Sequence, residues 1–468
     1  MIYDLAVIGG GSAGLSIAAA ASQFGEKVVL FEKGEMGGDC LNSGCVPSKS
    51  LIAAAKYAHA QRSSGPYGVA AVEPKVDFSK VMDHVQSVID NIAPNDSVER
   101  FEGLGVKVVK SRALFVSVRT LEANGERFEA RKIVIATGSR AAVPAIPGLK
   151  DVSYFTNETI FKNRVKPEHL IIIGGGPIGM EMAQAHRRLG CKVTVLEGTK
   201  AMAKDDPELS AVVISALKSE GVDLREGVQI AKVSNLKNRI DVALGTGEIV
   251  SGSHLLVAAG RVPNLDGLGL EAGSVAYGKR GITVDGGLRS TTNRNVYAAG
   301  DVAGGLQFTH VAGYHAGLII RNALFKLPVK NRTDIIPWVT YTDPELAHVG
   351  LSEAEARKMH GAAAKILKWS FAENDRAQAE GKTKGLIKIV LFKGRIIGAG
   401  IVGPSAGELI APFVLAVTQK LKIAAFANIV LPYPTLSEIG KRAAITNYAG
   451  LAQKPLMRRM LGLLKIFG

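Results

Sequence analysis

The sequence is poor in cysteine and in long apolar runs, and each shortage excludes a class of protein. Three cysteines in 468 residues are too few for a disulfide-stapled secreted protein, which would carry several bridges in a much shorter chain. Apolar runs stay below the roughly 20 residues of a membrane span, and the first residues enter a strand without a basic leader. A cytoplasmic location and two or three domains are therefore expected.

Blocks of like charge are also missing, although the formal net charge is +15. Lysine and arginine are scattered along the chain and accompany no nucleic-acid-binding motif, which argues against nucleic acid as a specific partner. Such a charge can attract anionic dinucleotides or an anionic membrane surface. The spacing of the histidines and cysteines indicates no bound structural metal.

A dinucleotide-binding pattern opens the chain. The apolar run 5–8 predicts a buried parallel strand, and Gly9, Gly11 and Gly14 follow with the spacing G-x-G-x-x-G. A helical stretch and a second strand come next, and Glu32 closes that strand. Glycines at this turn admit a pyrophosphate to the helix N-terminus, and the carboxylate can bond a ribose hydroxyl.

The same pattern recurs in the middle of the chain. The strand predicted at 169–173 is followed by Gly174, Gly176 and Gly179, and the next strand ends at Glu197. A carboxylate there accepts from the 2′-hydroxyl of NAD and repels a 2′-phosphate, so NADH is favoured over NADPH. Two such sites in one chain suggest FAD together with a nicotinamide dinucleotide.

Two of the three cysteines lie in a turn-rich segment. The turn formers 42–44 could bend the chain enough to bring Cys40 and Cys45 together. Pro47 suits the first turn of a following helix, so Cys45 would sit just before a helix N-terminus that lowers its thiol pKa. A redox-active pair is favoured over a structural disulfide or two free thiols, whereas Cys191 is expected to be an inert, half-buried thiol.

Together these features resemble the pyridine nucleotide–disulfide oxidoreductases, the group of lipoamide dehydrogenase, glutathione reductase and mercuric reductase. The resemblance covers nearly the whole chain, up to about Tyr448. The further segments that carry it are 135–140, 146–148, 259–264, 297–301, 307–312 and 339–350.

The resemblance implies an α/β fold with two Rossmann-like dinucleotide-binding domains and a C-terminal α+β dimerisation domain. The FAD-binding domain would be discontinuous, at 1–147 and 270–333, and the NAD(P)-binding domain would span 148–269. The dimerisation domain would span 334–450, before a basic amphipathic tail at 451–468. A homodimer is implied, because in this family the partner's last domain completes each active site.

The resemblance also assigns roles around the cysteines. Electrons would pass from NADH through FAD to a Cys40–Cys45 disulfide and on to a disulfide-type acceptor, which Cys40 would attack. Cys45 would form a charge-transfer pair with oxidised FAD, and Lys49 with Glu181 would form an ion pair beside the flavin. Asp301 would bond the flavin ribityl chain. The further cofactor-binding positions that it implies are Thr137, Gly138, Gly260, Arg261 and His310.

The segment 431–438 departs from the family pattern. Lipoamide dehydrogenase and glutathione reductase carry a histidine whose place is taken here by Tyr433, while the glutamate five residues later remains as Glu438. Tyrosine, with a pKa near about 10, is a poorer proton shuttle at neutral pH than histidine near about 6.5. Mercuric reductases resemble this chain at that position, so Hg(II) reduction is the alternative, although no cysteine follows Cys191 to deliver the metal.

The chain closes on a basic amphipathic pattern. Two alternatives stand for this tail: packing against the protein or its dimer mate, or binding to an anionic membrane surface. The membrane alternative would make a quinone the electron acceptor. The apolar residues at helical spacing are Leu456, Met457, Met460, Leu461, Leu464 and Phe467, and the cations are Arg458, Arg459 and Lys465.

Overall fold

The computed structural model of the protein describes residues 1–236, 239–450 and 455–466. The fold is α/β, as predicted, and divides into two compact units. The first unit contains residues 1–199 and 222–332, and the second contains residues 200–221 and the chain from 333 onward.

A seven-stranded sheet forms the first half of unit one. Alternate residues of the strand Ile2–Ile8 serve two cores, with Leu5 and Val7 on one face and Ala6 and Ile8 on the other. Burial on both faces explains why this parallel strand is a continuous apolar run. The strand order is Lys107–Val109, Val28–Phe31, Ile2–Ile8, Glu126–Ile135, Thr120–Ala123 and Leu114–Phe115, with Val296–Ala298 also paired to Glu126–Ile135.

A four-stranded parallel sheet forms the second half of unit one. The helix Pro177–Arg188 connects two of its neighbouring strands, which repeats the strand–helix–strand arrangement at the start of the chain. The strand order is Asp223–Arg225, Lys192–Leu196, His169–Ile173 and His254–Val257. A separate antiparallel sheet contains Ile230–Leu236, Arg239–Leu244 and Ile249–Gly252.

The helices of unit one carry both predicted redox cysteines, Lys49 and Glu181. They are Ser12–Gln23, Gly38–Asn42, Cys45–Arg62, Phe78–Ile92, Val98–Gly103, Asn157–Ile160, Pro177–Arg188 and Thr309–Ala323. Two short antiparallel strands, Ser139–Ala141 and Arg261–Pro263, pair where the chain was predicted to cross between the dinucleotide-binding domains.

Unit two is built on a five-stranded antiparallel sheet. The strand order is Trp338–Thr340, Glu345–Gly350, Arg395–Gly403, Leu386–Phe392 and Ala364–Ser370. The helices of this unit are Pro207–Ser219, Glu353–His360, Asp375–Ala379, Ala406–Leu409, Ala411–Thr418, Ala424–Asn428, Glu438–Thr446 and Pro455–Leu464. The helix Pro207–Ser219 belongs to this unit although it lies within the predicted NAD(P)-binding segment, and the predicted domain boundaries stay a prediction.

A buried lysine joins two of these helices to the sheet. Lys388 is 6% exposed, and its Nζ lies 2.8 Å from Asp206, 3.0 Å from Glu208 and 2.7 Å from Glu353. Burial opposes the charge of the ammonium, but its bonds to the three carboxylates outweigh that effect and raise the pKa of Lys388. Asp206 also accepts from the backbone at the start of the helix Pro207–Ser219, so the cluster fixes that helix on the sheet.

The predicted amphipathic tail is helical over Pro455–Leu464, called here the tail helix. Among its apolar side chains, Met460 is 45% exposed and Leu463 is 60% exposed. Phe467, which belongs to the predicted pattern, lies outside the described residues. None of the helices in the described ranges combines the length and the apolar character that crossing a membrane requires.

Candidate active site

Two successive helices place the cysteine pair. Cys40 lies in the short helix Gly38–Asn42, and Cys45 is the first residue of the helix Cys45–Arg62 rather than the residue before it. Asn42, predicted as a turn former, ends the first helix, so the chain turns only at Ser43 and Gly44. A Cβ at Gly44 would lie 2.8 Å from the Asp39 carbonyl oxygen, and glycine therefore permits the close approach of the two helices.

The two thiols are unbridged and have opposite acid strengths. The hydrogen bond donated by Cys40 lowers the pKa of Cys45 to about 6, against the opposing effect of burial. The Thr309 hydroxyl, 3.3 Å from the Cys45 sulfur, and the charge of Lys49 act in the same direction. That shared hydrogen bond and burial raise the pKa of Cys40. At neutral pH the pair therefore consists of a Cys45 thiolate and a Cys40 thiol.

The ion pair implied by the family resemblance forms beside this pair. Lys49 lies one helical turn after Cys45, and its Nζ is 2.8 Å from the Glu181 carboxylate. Glu181 is 7% exposed on the helix Pro177–Arg188, which follows the second glycine turn. The contact brings the two predicted dinucleotide sites to the same cysteine-bearing helix.

A chain of polar contacts links the cysteine segment to Asp301. Arg261 pairs with Asp39 at 2.9 Å, and its Nε donates to the Ser139 hydroxyl at 2.8 Å. Ser139 in turn donates to the Asp301 carboxylate at 2.5 Å. Burial raises the pKa of Asp301, although Ser139 and Arg261 oppose that rise. Arg261 and Asp301 were predicted to bind a cofactor, but Asp39 was not predicted. The sequence feature that could have identified Asp39 is its acidic side chain directly before Cys40.

The first glycine turn has the geometry of a phosphate cradle. Gly9 has φ +111°, and a Cβ at Gly9 or Gly14 would overlap a backbone carbonyl. Glycine is therefore required at both positions. The Glu32 carboxylate accepts hydrogen bonds from the backbone N–H groups of Gly10 and Gly34, each at 2.6 Å, at the edge of this cradle.

The second turn repeats this geometry closely. Gly174 has φ +114°, and a Cβ at Gly174 or Gly179 would again overlap a backbone carbonyl. Glu197 accepts from the backbone N–H groups of Gly175 at 2.7 Å and of Thr199 at 2.8 Å. Burial opposes its charge, but these bonds outweigh that effect and lower the pKa of Glu197. The carboxylate is therefore ionised at neutral pH.

The residues present fit two bound dinucleotides. Glycine caps the N-terminus of each following helix, Gly11 before Ser12–Gln23 and Gly176 before Pro177–Arg188. A capping glycine has no side chain to occupy the backbone N–H groups of the first turn, which can then bind a pyrophosphate. The carboxylate at the end of the next strand can accept from a ribose hydroxyl in both cases.

The other predicted cofactor residues lie beside the two crossover strands or in the helix Thr309–Ala323. Thr137 donates to the Asn264 carbonyl at 2.8 Å, and Gly138 and Gly260 have φ of +66° and +120°. His310 is exposed, and its ring stacks on the ring of Phe308 with 5.2 Å between the ring centroids. The residue before it, Thr309, contacts Cys45, and this contact was missed because 264 positions separate the two residues.

Tyr433 and Glu438 lie in unit two. The Tyr433 hydroxyl donates to the Asp375 carboxylate at 3.0 Å, and the side chain is 68% exposed. That hydrogen bond raises the pKa of Tyr433 and moves it further from neutrality. Glu438 begins the helix Glu438–Thr446. Tyr433 is therefore a hydrogen-bond donor at neutral pH and a weak proton acceptor.

Two dinucleotide cradles beside an asymmetric thiol pair define a flavin-dependent disulfide reductase. Residues 3–316 match the family model described as pyridine nucleotide-disulphide oxidoreductase, and residues 336–444 match that family's dimerisation domain. The chain belongs to this family. It is a flavin-dependent oxidoreductase, and the cofactors of the family are FAD and NAD(P)H. The dimerisation domain supports a homodimer.

Similar proteins include two named enzymes. A mercuric reductase of Lysinibacillus sphaericus is 34% identical, and the match covers 95% of this chain and 82% of the relative. A dihydrolipoyl dehydrogenase of Thermus scotoductus is 35% identical over 93% of this chain and 95% of the relative. Family membership therefore leaves both kinds of acceptor open.

Solved structures with a similar fold include two bacterial proteins. The Cu(II) complex of the HOCl-induced flavoprotein disulfide reductase RclA from Escherichia coli has a TM-score of 0.85 and 26% identity, covering 94% of this chain and 99% of that one. LpdA from Mycobacterium tuberculosis has a TM-score of 0.87 and 26% identity, covering 95% of this chain and 99% of that one.

Proposed function

We propose that the enzyme uses NADH and bound FAD to reduce the Cys40–Cys45 pair, and that Cys40 then reduces a disulfide-type acceptor. The observation that carries the proposal is the asymmetry of the pair, in which Cys45 is a stabilised thiolate and Cys40 keeps its proton. The geometry supports the same assignment, because the Thr309 hydroxyl lies 3.3 Å from the Cys45 sulfur and the charge of Lys49 favours the thiolate of Cys45 and not of Cys40.

The chain's own residues would hold both cofactors. The helix N-termini at Gly11 and Gly176 would bind the pyrophosphates, and Glu32 and Glu197 would accept from ribose hydroxyls. Bound FAD would supply the two-electron transfer between NADH and the cysteine pair. The ionised Glu197 repels a 2′-phosphate, which supports NADH over NADPH.

The thiol step needs a base for Cys40. The Cys45 thiolate, which already accepts the hydrogen bond of Cys40, can take that proton. The Cys40 sulfur would then attack one sulfur of the acceptor, forming a mixed disulfide and releasing the first thiol. Cys45 would pass the proton to the first leaving sulfur and then attack Cys40, which restores the Cys40–Cys45 disulfide and releases the second sulfur as a thiolate. The acceptor gains two electrons and one proton from the pair and takes its second proton from water, so the step balances.

The first prediction separates cofactor reduction from acceptor reduction. In the Cys40→Ser variant, we expect NADH to reduce the bound flavin at the parent's rate, while turnover with lipoamide or glutathione disulfide falls at least about a thousandfold. Stopped-flow spectrophotometry with successive additions of NADH and acceptor measures both steps. Cys191→Ala, which removes the buried thiol, is the matched control and should turn over normally.

The acceptors in that experiment also distinguish a second candidate function. Tyr433 and the similarity to mercuric reductases favour Hg(II) held by thiolates as the oxidant. Reoxidation by Hg(II) alone, in the presence of excess thiol, would replace the disulfide acceptor with the metal ion. Disulfide turnover that survives in Cys40→Ser would contradict the thiol step itself.

A third candidate, a quinone reduced at a membrane surface, is favoured by the tail helix. Met460, Leu461, Leu463 and Leu464 of this helix are exposed, and the sequence from 439 onward contains cations but no acidic residue. Each cation near an anionic bilayer contributes about 1 kcal/mol of attraction. The exposed leucines would add the burial of their apolar side chains.

The second prediction tests this surface. We expect the holoenzyme to co-sediment with phosphatidylglycerol vesicles and much less with phosphatidylcholine vesicles, and the combined Leu461→Glu and Leu464→Glu substitutions to abolish co-sedimentation. Val165→Glu, which alters an exposed apolar residue of unit one, should leave it unchanged. Equal pelleting of the tail variant and the parent would eliminate the membrane proposal. If the tail variant elutes as a smaller species than the parent on gel filtration, the tail helix belongs to the dimer interface.

A further inference from the structure

Asp39 precedes Cys40, and both of its carboxylate oxygens are engaged. One oxygen pairs with Arg261 at 2.9 Å, and the other accepts hydrogen bonds from Ser43 at 2.7 Å and from Asn157 at 2.9 Å. These partners come from three separate parts of unit one. Their bonds fix an anion beside the thiol pair, whereas a carboxylate solvated only by water would remain free to rotate.

Arg261 extends this arrangement to the opposite side of the site. Its side chain is 13% exposed, and it reaches Asp39 directly and Asp301 through the Ser139 hydroxyl. One guanidinium therefore neutralises two carboxylates, Asp39 in the cysteine segment and Asp301 in the segment 297–301. Because Asp39 and Asp301 share this guanidinium, a substitution at Asp39 also alters the interaction of Arg261 with Asp301.

The charges that face Cys45 come from four elements. Lys49, on the same helix, favours the thiolate, and Glu181 partly neutralises that lysine. Cys40 and Thr309 supply hydrogen bonds, while the negative charge of Asp39 opposes the thiolate. Asp39 therefore acts against Lys49.

We propose that Asp39 is a positioning residue of the cysteine pair: held by Arg261, its carboxylate fixes the turn that carries Cys40 and sets the charge balance around Cys45. The inference rests on the proposed function, because it concerns how the thiol pair of that function is tuned. It assigns a role to a residue that contacts the cysteine segment through its side chain without taking part in the exchange of thiols.

The experiment compares Asp39→Asn, which removes the charge, with Asp39→Glu, which keeps it. The readout is the pH dependence of iodoacetamide labelling at Cys45 in the reduced holoenzyme, located by peptide mass spectrometry. With the anion gone, we expect the midpoint for Asp39→Asn to fall by roughly half to one pH unit. In Asp39→Glu the midpoint should stay at the parent's value while disulfide turnover falls several-fold, because the turn carrying Cys40 is displaced.

Asp266→Asn is the matched control, since Asp266 is an exposed carboxylate whose partner Arg140 lies on a neighbouring strand at 2.9 Å. It should shift nothing. An unchanged midpoint in Asp39→Asn, or an equal shift in the control, would overturn the inference. If Asp39→Asn does not yield folded protein, a shifted midpoint in Asp39→Glu overturns it instead. Failure of the proposed function would give a different result. The enzyme would then reduce no disulfide, while the labelling midpoints of the parent and of Asp39→Asn would still differ.

Discussion

In the Cys45→Ser variant, we expect the long-wavelength charge-transfer absorbance of the two-electron-reduced holoenzyme to be lost. That absorbance requires a thiolate, and the serine hydroxyl stays protonated at every pH at which the protein is folded. The parent holds the thiolate because Cys40, Thr309 and Lys49 lower the pKa of Cys45 to about 6. Anaerobic titration with NADH, followed by absorbance spectra, measures the effect.

The same titration, repeated at several pH values, tests the lowered pKa of Cys45. As the pH falls through about 6, Cys45 takes up a proton and the absorbance of the parent should disappear; above that value it should be constant. Cys40→Ser is the matched variant: it cannot form the disulfide, so its Cys45 thiolate should give the absorbance with oxidised FAD before NADH is added and lose it when NADH reduces the flavin. Retention of the absorbance in Cys45→Ser would assign the flavin-side thiolate to another residue.

Replacing Lys388 by methionine should destabilise unit two by about 3–5 kcal/mol. The substitution keeps an apolar stem but leaves the carboxylates of Asp206, Glu208 and Glu353 without the ammonium that they surround. Urea unfolding, followed by tryptophan fluorescence, measures the loss. In the parent, Lys388 lowers the pKa of Glu353, and Lys368 with Lys388 lowers that of Glu208. The loss of stability should shrink at acidic pH, because protonation of these two carboxylates removes their repulsion in the variant.

Lys368→Met provides a close control for this variant. Lys368 lies directly opposite Lys388 in the sheet register and pairs with the same Glu208 at 2.6 Å, but it is 45% exposed. Exposed ion pairs contribute at most about 1 kcal/mol, so its loss should be small. Equal destabilisation by both substitutions would show that burial of Lys388 does not decide the cost.

Both glycine turns were predictable because each is a local pattern. The positions of Gly9 and Gly174 require glycine for backbone reasons that one short segment contains, and Glu32 and Glu197 follow at a fixed distance along the chain. The Lys49–Glu181 ion pair, in contrast, was expected only from the family resemblance. Spacing alone cannot predict a contact between residues 132 positions apart.

Two contacts of the site that the sequence did not predict join residues distant in the chain. Asp39 meets Arg261, and Cys45 meets Thr309, only after the sheets have assembled. The helix Pro207–Ser219 has a clear N-cap in Asp206, yet local signals cannot tell which unit it packs against. That choice depends on Lys388, which lies 182 positions away.

The two dinucleotide cradles differ in one respect that bears on residence time. A Cβ at Gly38 would lie 2.7 Å from the Cα of Gly11, so the cysteine segment covers the first cradle closely. At Gly176 an added Cβ would meet no described atom within 4 Å, so no described segment approaches the second cradle as closely at that point. We expect the cysteine segment to slow the departure of a dinucleotide from the first cradle more than any segment does at the second. With FAD in the first cradle and NADH in the second, as proposed, this difference favours a flavin that stays through many turnovers and a nicotinamide that exchanges in each.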